Sequence, residues 1–500
     1  MRQRITYLQQ PQDSVDPKLL GVTSNTISTK KLDAAREDRV TFGFDELPQE
    51  LYRVLKASHE LHVRWVSRDA YDTISPLVSR LSPGLHAFYT PQRNSNNSSL
   101  LCPTLKKVFG ELDCASPEES FTKLPVERFS LSAATQYYSP LSTLNELISY
   151  LTHKLCKNTD AECLSRVSKL NSASTLDVDF DTISHALTIT AFWPYQAWDL
   201  SIKNTANHRL EVGILTVEKP TQPEELSLGG FLTVVGEDTK PSPTLFSFPA
   251  RHHPTTQFFS SAFLSPTGLH PTLELDISSS KAPIEEGSCS IHAHLTLPRA
   301  IFADKYQLSD SLFLASKNLS TIRYITTPVD LEAPAYTMSI WGSSLLLELA
   351  PPKPKDESWT AQVPLHLRYL LPNEGKYGQE RLEIPYPVVF WACTADEGSK
   401  FPINPFDKVN LGYESLFGGR TMFYHLDPVP QTTDGVEGGE LINTLSVPVL
   451  DLGKSKYVEV GTAVVVTLGF AWVLWCLFGV WRREGYGSIK KGAETERKNK

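Results

Sequence analysis

Along most of this chain apolar and polar residues alternate over short runs. In one place the polar residues stop altogether. From Val460 to Trp481 there are 22 residues without a charge. As a helix that run is roughly 33 Å long, enough for a hydrocarbon core of about 30 Å. A helix is also the single-segment way to satisfy backbone N–H and C=O groups in lipid. Trp472, Trp475 and Trp481 lie in its second half, and Tyr457 and Tyr486 flank it, as interfacial aromatics do. After it come Arg482, Arg483, Lys490, Lys491, Arg497, Lys498 and Lys500; within a comparable distance before it there are only Lys454 and Lys456. Positive-inside bias therefore places residues 482–500 in the cytosol and the whole body before Val460 across the membrane. The opening stretch MRQRITYLQQPQDSVDPKLL has basic residues but no apolar run of signal-peptide length. The body is either translocated without a cleaved signal, or its signal is missing or of an unrecognised kind.

The rest divides by period. LPQELYRVLKAS (Leu47 to Ser58) reads as a short helix and LHVRWVS (Leu61 to Ser67) as a strand. SPLSTLNELISYLTHKLC reads as a longer helix, capped by Ser139 with Pro140 at its first position. Leu141, Leu144, Ile148, Leu151 and Leu155 form its apolar stripe. After Cys163, ISHALTITAFWPY, LEVGILTVEKP and GGFLTVVGE read as strands. PTQPEEL and GEDTKPSP are candidate linkers, which sets a soft boundary near residues 236–256. Beyond it TLELDISS, SCSIHAHLTLP, SSLLLELAPP, VPLHLRYLLP and IPYPVVFWAC are short runs bounded by Pro, Gly and Ser. In VPLHLRYLLP, Val363, Leu365, Leu367, Tyr369 and Leu371 share one face, and His366 and Arg368 point the other way. The expected fold is mainly β: an α+β N-terminal region (1–245) and a β-sandwich (256–430), followed by a juxtamembrane linker (431–459), the membrane helix (460–481) and a short basic tail (482–500). NPFDKVNLGYESLFGGRTMFYHL (Asn404 to Leu426) is aromatic and Gly-rich without clean periodicity, and the pattern assigns it no packing role.

Composition narrows the classes. Charged residues are 21% and hydrophobic ones 41%, ordinary globular material, and a net charge of −8 leaves no nucleic-acid footprint. Of seven cysteines, Cys476 lies in the span. Proximity pairs Cys102 with Cys114 and Cys156 with Cys163, leaving Cys289 with Cys393; six unpaired buried thiols are the alternative. Sequons occur at Asn96, Asn97 and Asn318, and the first two overlap. No phosphate loop, dinucleotide fingerprint, nucleophile elbow, H-E-x-x-H or C-x-x-C is present. Asp177-Val178-Asp179 is a D-x-D pair of the kind that holds a divalent metal in glycosyltransferases. Yet Leu176, Val178 and Phe180 alternate with Asp177, Asp179 and Asp181, the pattern of a half-buried strand with a solvated acidic face. Cys289, His292 and His294 suggest metal, but on a strand the cysteine points away from both histidines. No cofactor is expected, and the sequence favours a protein that works by contact.

Four stretches carry a family resemblance. LPRAIFADKYQL (Leu297 to Leu308), VDLEAPAY (Val329 to Tyr336), VPLHLRYLLP (Val363 to Pro372) and IPYPVVFWAC (Ile384 to Cys393) occur in the order, and ahead of the single span, that the PIG-X family shows. The resemblance covers roughly residues 260–395 plus the span, and the long first part looks like the larger fungal branch. It implies an endoplasmic reticulum membrane protein, the non-catalytic component of glycosylphosphatidylinositol (GPI) mannosyltransferase I. It also implies a PIG-M-like multi-spanning catalytic subunit as partner, which adds the first mannose from dolichol phosphate mannose and which this subunit stabilises. No catalytic residues transfer with it. The terminal RKNK puts Arg497 and Lys498 where retrieval signals carry lysines. The rival readings are a general ER-luminal folding factor with several clients and a glycosyltransferase using Asp177 and Asp179.

Overall fold

A computed structural model describes the chain except residues 93–97, 125–133, 157–159, 205–207, 285–287, 328, 353–357, 375–377, 403, 407, 409–410, 431–438 and 486–500. The protein is mainly β, with a C-terminal apolar helix. Met1–Tyr369 and Leu382–Leu445 form one compact unit, and Leu370–Arg381 with Ser446–Lys500 a second.

The first unit is built on two large sheets. A twelve-stranded sheet gathers the strands before residue 250, and an eight-stranded sheet starts with His252–Phe263. The opening residues, which show no signal-peptide pattern, are a strand at the middle of the first sheet. Arg2–Gln9 pairs in parallel with Arg209–Glu218 and antiparallel with Thr26–Gly43. Tyr7 and Leu8 are both buried, so this strand is covered on both faces, which is why it lacks an alternating signature. The helices Gln49–Ala57, Leu101–Phe109 and Asn145–Lys154 contribute Val54, Leu105 and Leu147 to one core with Trp65, Leu85 and Tyr137 of the sheet.

The expected helix from Ser139 starts later. Residues Thr135–Ser139 are a strand paired with Gly84–Pro91, and the helix runs Asn145–Lys154. Tyr137 and Tyr138 are buried by that pairing, and the Leu141 carbonyl accepts a hydrogen bond from Trp65 Nε1 at 2.9 Å. Sheet pairing thus overrode a local capping signal. The alternation in VPLHLRYLLP also breaks. The strand Trp359–Pro364 is followed by the two-residue strand His366–Leu367, after which Arg368 is buried while Tyr369 and Leu371 are exposed.

The aperiodic Asn404–Leu426 stretch packs between the sheets up to Thr421, where it enters the strand Thr421–Pro428 of the second sheet. Leu411, Tyr413 and Phe417 join Phe88 of the first sheet and Phe390 and Phe423 of the second in one cluster. Gly412 has φ +85°, and a Cβ there would lie 3.1 Å from the Phe88 ring, so both backbone and space call for glycine. Phe390 stacks on Tyr413 with centroids 4.8 Å apart.

In the second unit, Leu452 N–H donates to Asn373 O at 2.9 Å and Val449 N–H to Gly378 O at 2.8 Å. The helix Ser455–Glu484 follows, long and apolar enough to cross a membrane, with mean hydropathy 2.3 in its most apolar window.

Because the first strand is central, Leu8→Ala is expected to cost about 2–5 kcal/mol, the range for truncating a buried leucine. Leu245→Ala, at an exposed edge position, is expected to cost close to nothing. Thermal midpoints of the detergent-solubilised protein check the contrast.

Candidate functional site

The D-x-D carboxylates lie on the strand Thr175–Asp181 beside Ser58–Val66, in register Arg64↔Asp177 and His62↔Asp179. The solvated acidic face is not what forms. Asp177 is buried, with Arg64 Nη1 at 3.2 Å and Lys408 Nζ at 2.5 Å. Asp179 is half-buried and bonded to His62 Nδ1 at 2.8 Å. Burial alone would raise the Asp179 pKa; the His62 hydrogen bond and the Arg64 charge outweigh it and hold it below its usual value. Both carboxylates are therefore offset by protein cations, which leaves a divalent metal competing with three basic side chains. Among the described residues no cluster of three or more His, Cys, Asp or Glu fits a metal ion.

Cys289 is joined to Cys393 across adjacent strands, and Cys102–Cys114 and Cys156–Cys163 are also bonded. His292 and His294 point away from Cys289 into the inter-sheet layer, fully buried. They belong to a set of buried histidines. Desolvation pushes His86, His253 and His292 down to about 4 and His294 to about 3. Burial, with the neighbouring His252, takes His425 well below its ordinary value. His252 bridges His425, at 2.8 Å, and Glu414. Burial would raise Glu414, but the His252 hydrogen bond outweighs it and holds the carboxyl low.

Of the sequons, Asn96 and Asn97 lie outside the described residues, as does the basic tail from Tyr486 onward. Asn318 follows the short helix Ser311–Ala315 at φ +54°, and its Nδ2 donates to Thr360 O at 2.8 Å.

Three of the four signature stretches meet at Arg368, a residue the alternation placed opposite the apolar face. Its guanidinium lies 4.3 Å over the Phe302 ring, and Nη1 donates to Ala333 O at 2.7 Å. Its backbone N–H bonds Ala300 O at 2.9 Å. Next to it, Ala335 N–H bonds Tyr369 O at 3.0 Å, and His366 bonds both Gln307 and His270 at 2.9 Å. Asp330 accepts the N–H groups of Glu332 and Ala333, both at 2.9 Å, which fixes the turn, and these bonds lower its pKa. The signal that could have revealed Arg368 was a lone cation inside an otherwise apolar run. The fourth stretch runs from the end of the strand Gln379–Pro385 into the strand Val388–Thr394, which pairs with Cys289–Pro298.

The junction falls inside a recognised region: the family model described as PIG-X / PBN1 matches residues 266–478. Relatives extend the match to the whole chain. A Protein pbn1 of Neurospora crassa is 51% identical over 97% of this chain and 97% of its own length. The chain belongs to the PIG-X / PBN1 family. A Protein pbn1 of Emericella nidulans is 46% identical, again over 97% of both chains. A Protein PBN1 of Saccharomyces cerevisiae is 30% identical over 48% of this chain and 56% of its own. The near full-length fungal matches take in the N-terminal region, so the sequence similarity to filamentous-fungal relatives runs through the residues of both large sheets.

Two outcomes follow from the buried layer. Asp177→Ala removes the carboxylate that Lys408 and Arg64 share, leaving Arg64 only the more distant Asp179 at 4.0 Å, and should cost about 3–5 kcal/mol. The drop in thermal midpoint should be the same with or without added manganese; an unchanged midpoint with lost function in cells would instead mark a functional carboxylate. The histidines give a pH dependence. Their folded pKa values lie below the ordinary 6.5, so the unfolded chain takes up protons first as pH falls. Stability present at pH 7 is thus lost as pH drops from about 6.5 toward about 4. Urea midpoints measured from pH 7 to 5 should fall, and a flat profile would contradict neutral buried imidazoles.

Proposed function

We propose that this protein is the non-catalytic component of GPI mannosyltransferase I in the endoplasmic reticulum membrane. It stabilises a PIG-M-like multi-spanning subunit that adds the first mannose to the GPI-anchor precursor. The observation that carries the reading is full-length membership in the PIG-X / PBN1 family. Asp177 and Asp179, the carboxylates a glycosyltransferase would need free, are held by Arg64, Lys408 and His62, which supports a role by contact.

The body is luminal and the tail cytosolic in this proposal. Three disulfides suit an oxidising compartment, and the excess of Lys and Arg after Trp481 suits a cytosolic tail. A protein that binds only the folded partner shifts that partner's folding equilibrium by mass action. A loss of 1–2 kcal/mol changes cellular abundance about several-fold.

Deleting the gene should lower the catalytic subunit's abundance several-fold and accumulate the GPI precursor that lacks its first mannose. Immunoblots and lipid analysis measure both. Normal partner abundance with failed mannosylation would exclude stabilisation as the mechanism. Recovery of many unrelated glycoproteins with this protein, in place of one dominant multi-spanning partner, would favour a general folding factor.

A further inference from the structure

We propose that Tyr306, Tyr336 and Tyr369, presented around Arg368, are the docking surface for a basic luminal loop of the multi-spanning subunit. This rests on the function proposed above and adds the surface and the chemistry of what it meets. Single exposed apolar residues are ordinary on any protein. Here three tyrosines from three separate segments are exposed at 66%, 54% and 69% on one junction, and Leu312 is exposed at 82% on the short helix that follows Tyr306.

The platform is fixed before any partner arrives. Tyr336 follows Ala335, whose N–H is bonded to Tyr369 O. Tyr306 precedes Gln307, whose side chain is bonded to His366. Arg368 ties the same segments together through Phe302, Ala300 and Ala333. Tyrosines with two side-chain torsions on a fixed backbone lose little entropy on binding, and they are enriched at binding hot spots.

Charge selects the occupant. The tyrosine-bearing segments and the Leu312 helix carry Asp304, Asp330, Glu332 and the helix-capping Asp310. Of the cations there, Arg368 is buried and turned inward, and Arg299 is paired with Asp113. Lys305 lies 4.9 Å over the Tyr306 ring. The outward field is negative, and the rings offer faces that attract cations. Such a surface suits arginine or lysine with apolar neighbours on a protein loop and repels anionic lipid headgroups. The chain passes from Tyr369 directly into the unit that carries the membrane helix.

Photo-crosslinking tests this in intact membranes, with benzoylphenylalanine placed at Tyr336 of the full chain. The expected adduct is with the multi-spanning subunit; an adduct with phospholipid alone, or with a second copy of this chain, overturns the proposal. In detergent extract, the triple variant Tyr306→Ala, Tyr336→Ala, Tyr369→Ala should recover at least about tenfold less partner. Its own abundance and the Cys289–Cys393 bond should be unchanged. Ile183→Ala with Leu245→Ala, exposed elsewhere, should recover partner normally. Normal recovery by the triple variant overturns the surface and leaves the subunit reading standing. Failure of the unaltered protein to recover any multi-spanning partner removes both.

Discussion

Asp177 is held between Arg64 and Lys408 in a layer with little access to water, and that pairing constrains much of the first unit. Arg64 comes from the neighbouring strand and Lys408 from the segment that packs between the sheets. Removing Asp177 takes the shared counter-charge from two buried cations at once, which costs far more than an exposed ion pair contributes. The layer around it is polar as well. Tyr413 donates to Arg80 O at 3.0 Å, and Arg80 bonds Asp427 at 2.7 Å. Satisfied polar groups of this kind tie the segments that carry them to particular partners.

Apolar packing then supplies the driving force. Phe88, Phe390, Tyr413 and Phe423 are fully buried in the same layer, each contributing the large apolar area that aromatic side chains bring. The segment from Asn404 to Leu426 therefore has two jobs. It delivers Lys408 to Asp177, and it fills the space between sheets with Leu411, Tyr413 and Phe417. Up to the strand Thr421–Pro428, an aperiodic sequence is what such a segment requires, because it follows no single helix or strand face.

Arg368 works on the same physical basis in the eight-stranded half. A buried guanidinium stacked on Phe302 and bonded to the Ala333 carbonyl draws three distant segments into one junction. Planar stacking and forked donation are properties of arginine that lysine does not share. The result is a fixed set of outward tyrosines on a body whose candidate carboxylates are already neutralised, an arrangement suited to recognition. The C-terminal helix is held differently: between its charged ends its residues are mostly apolar and exposed, and it is long and apolar enough to cross a membrane.

What the sequence determined by itself were the features set by local composition. The uncharged run at Val460–Trp481 is self-sufficient as a helix, and its counterpart is the helix Ser455–Glu484. Most of the short apolar or alternating runs from Thr272 to Cys393 became strands, Thr272–Ile277 by alternation and Cys289–Pro298, Gly342–Leu349 and Val388–Thr394 as continuous runs buried on both faces. The signature stretches pointed to the family because their order along the chain is a sequence property. Only the tertiary structure decided the rest. Arg2–Gln9 is a strand because Thr26–Gly43 and the distant Arg209–Glu218 cover both its edges. Thr135–Ser139 is a strand because Gly84–Pro91 offers it a ladder. Asp177 is buried and Arg368 turns inward because their counter-charge and ring, Lys408 and Phe302, arrive from elsewhere in the chain. Periodicity reads what a residue does with its immediate neighbours; a buried charge is decided by which distant groups come to meet it.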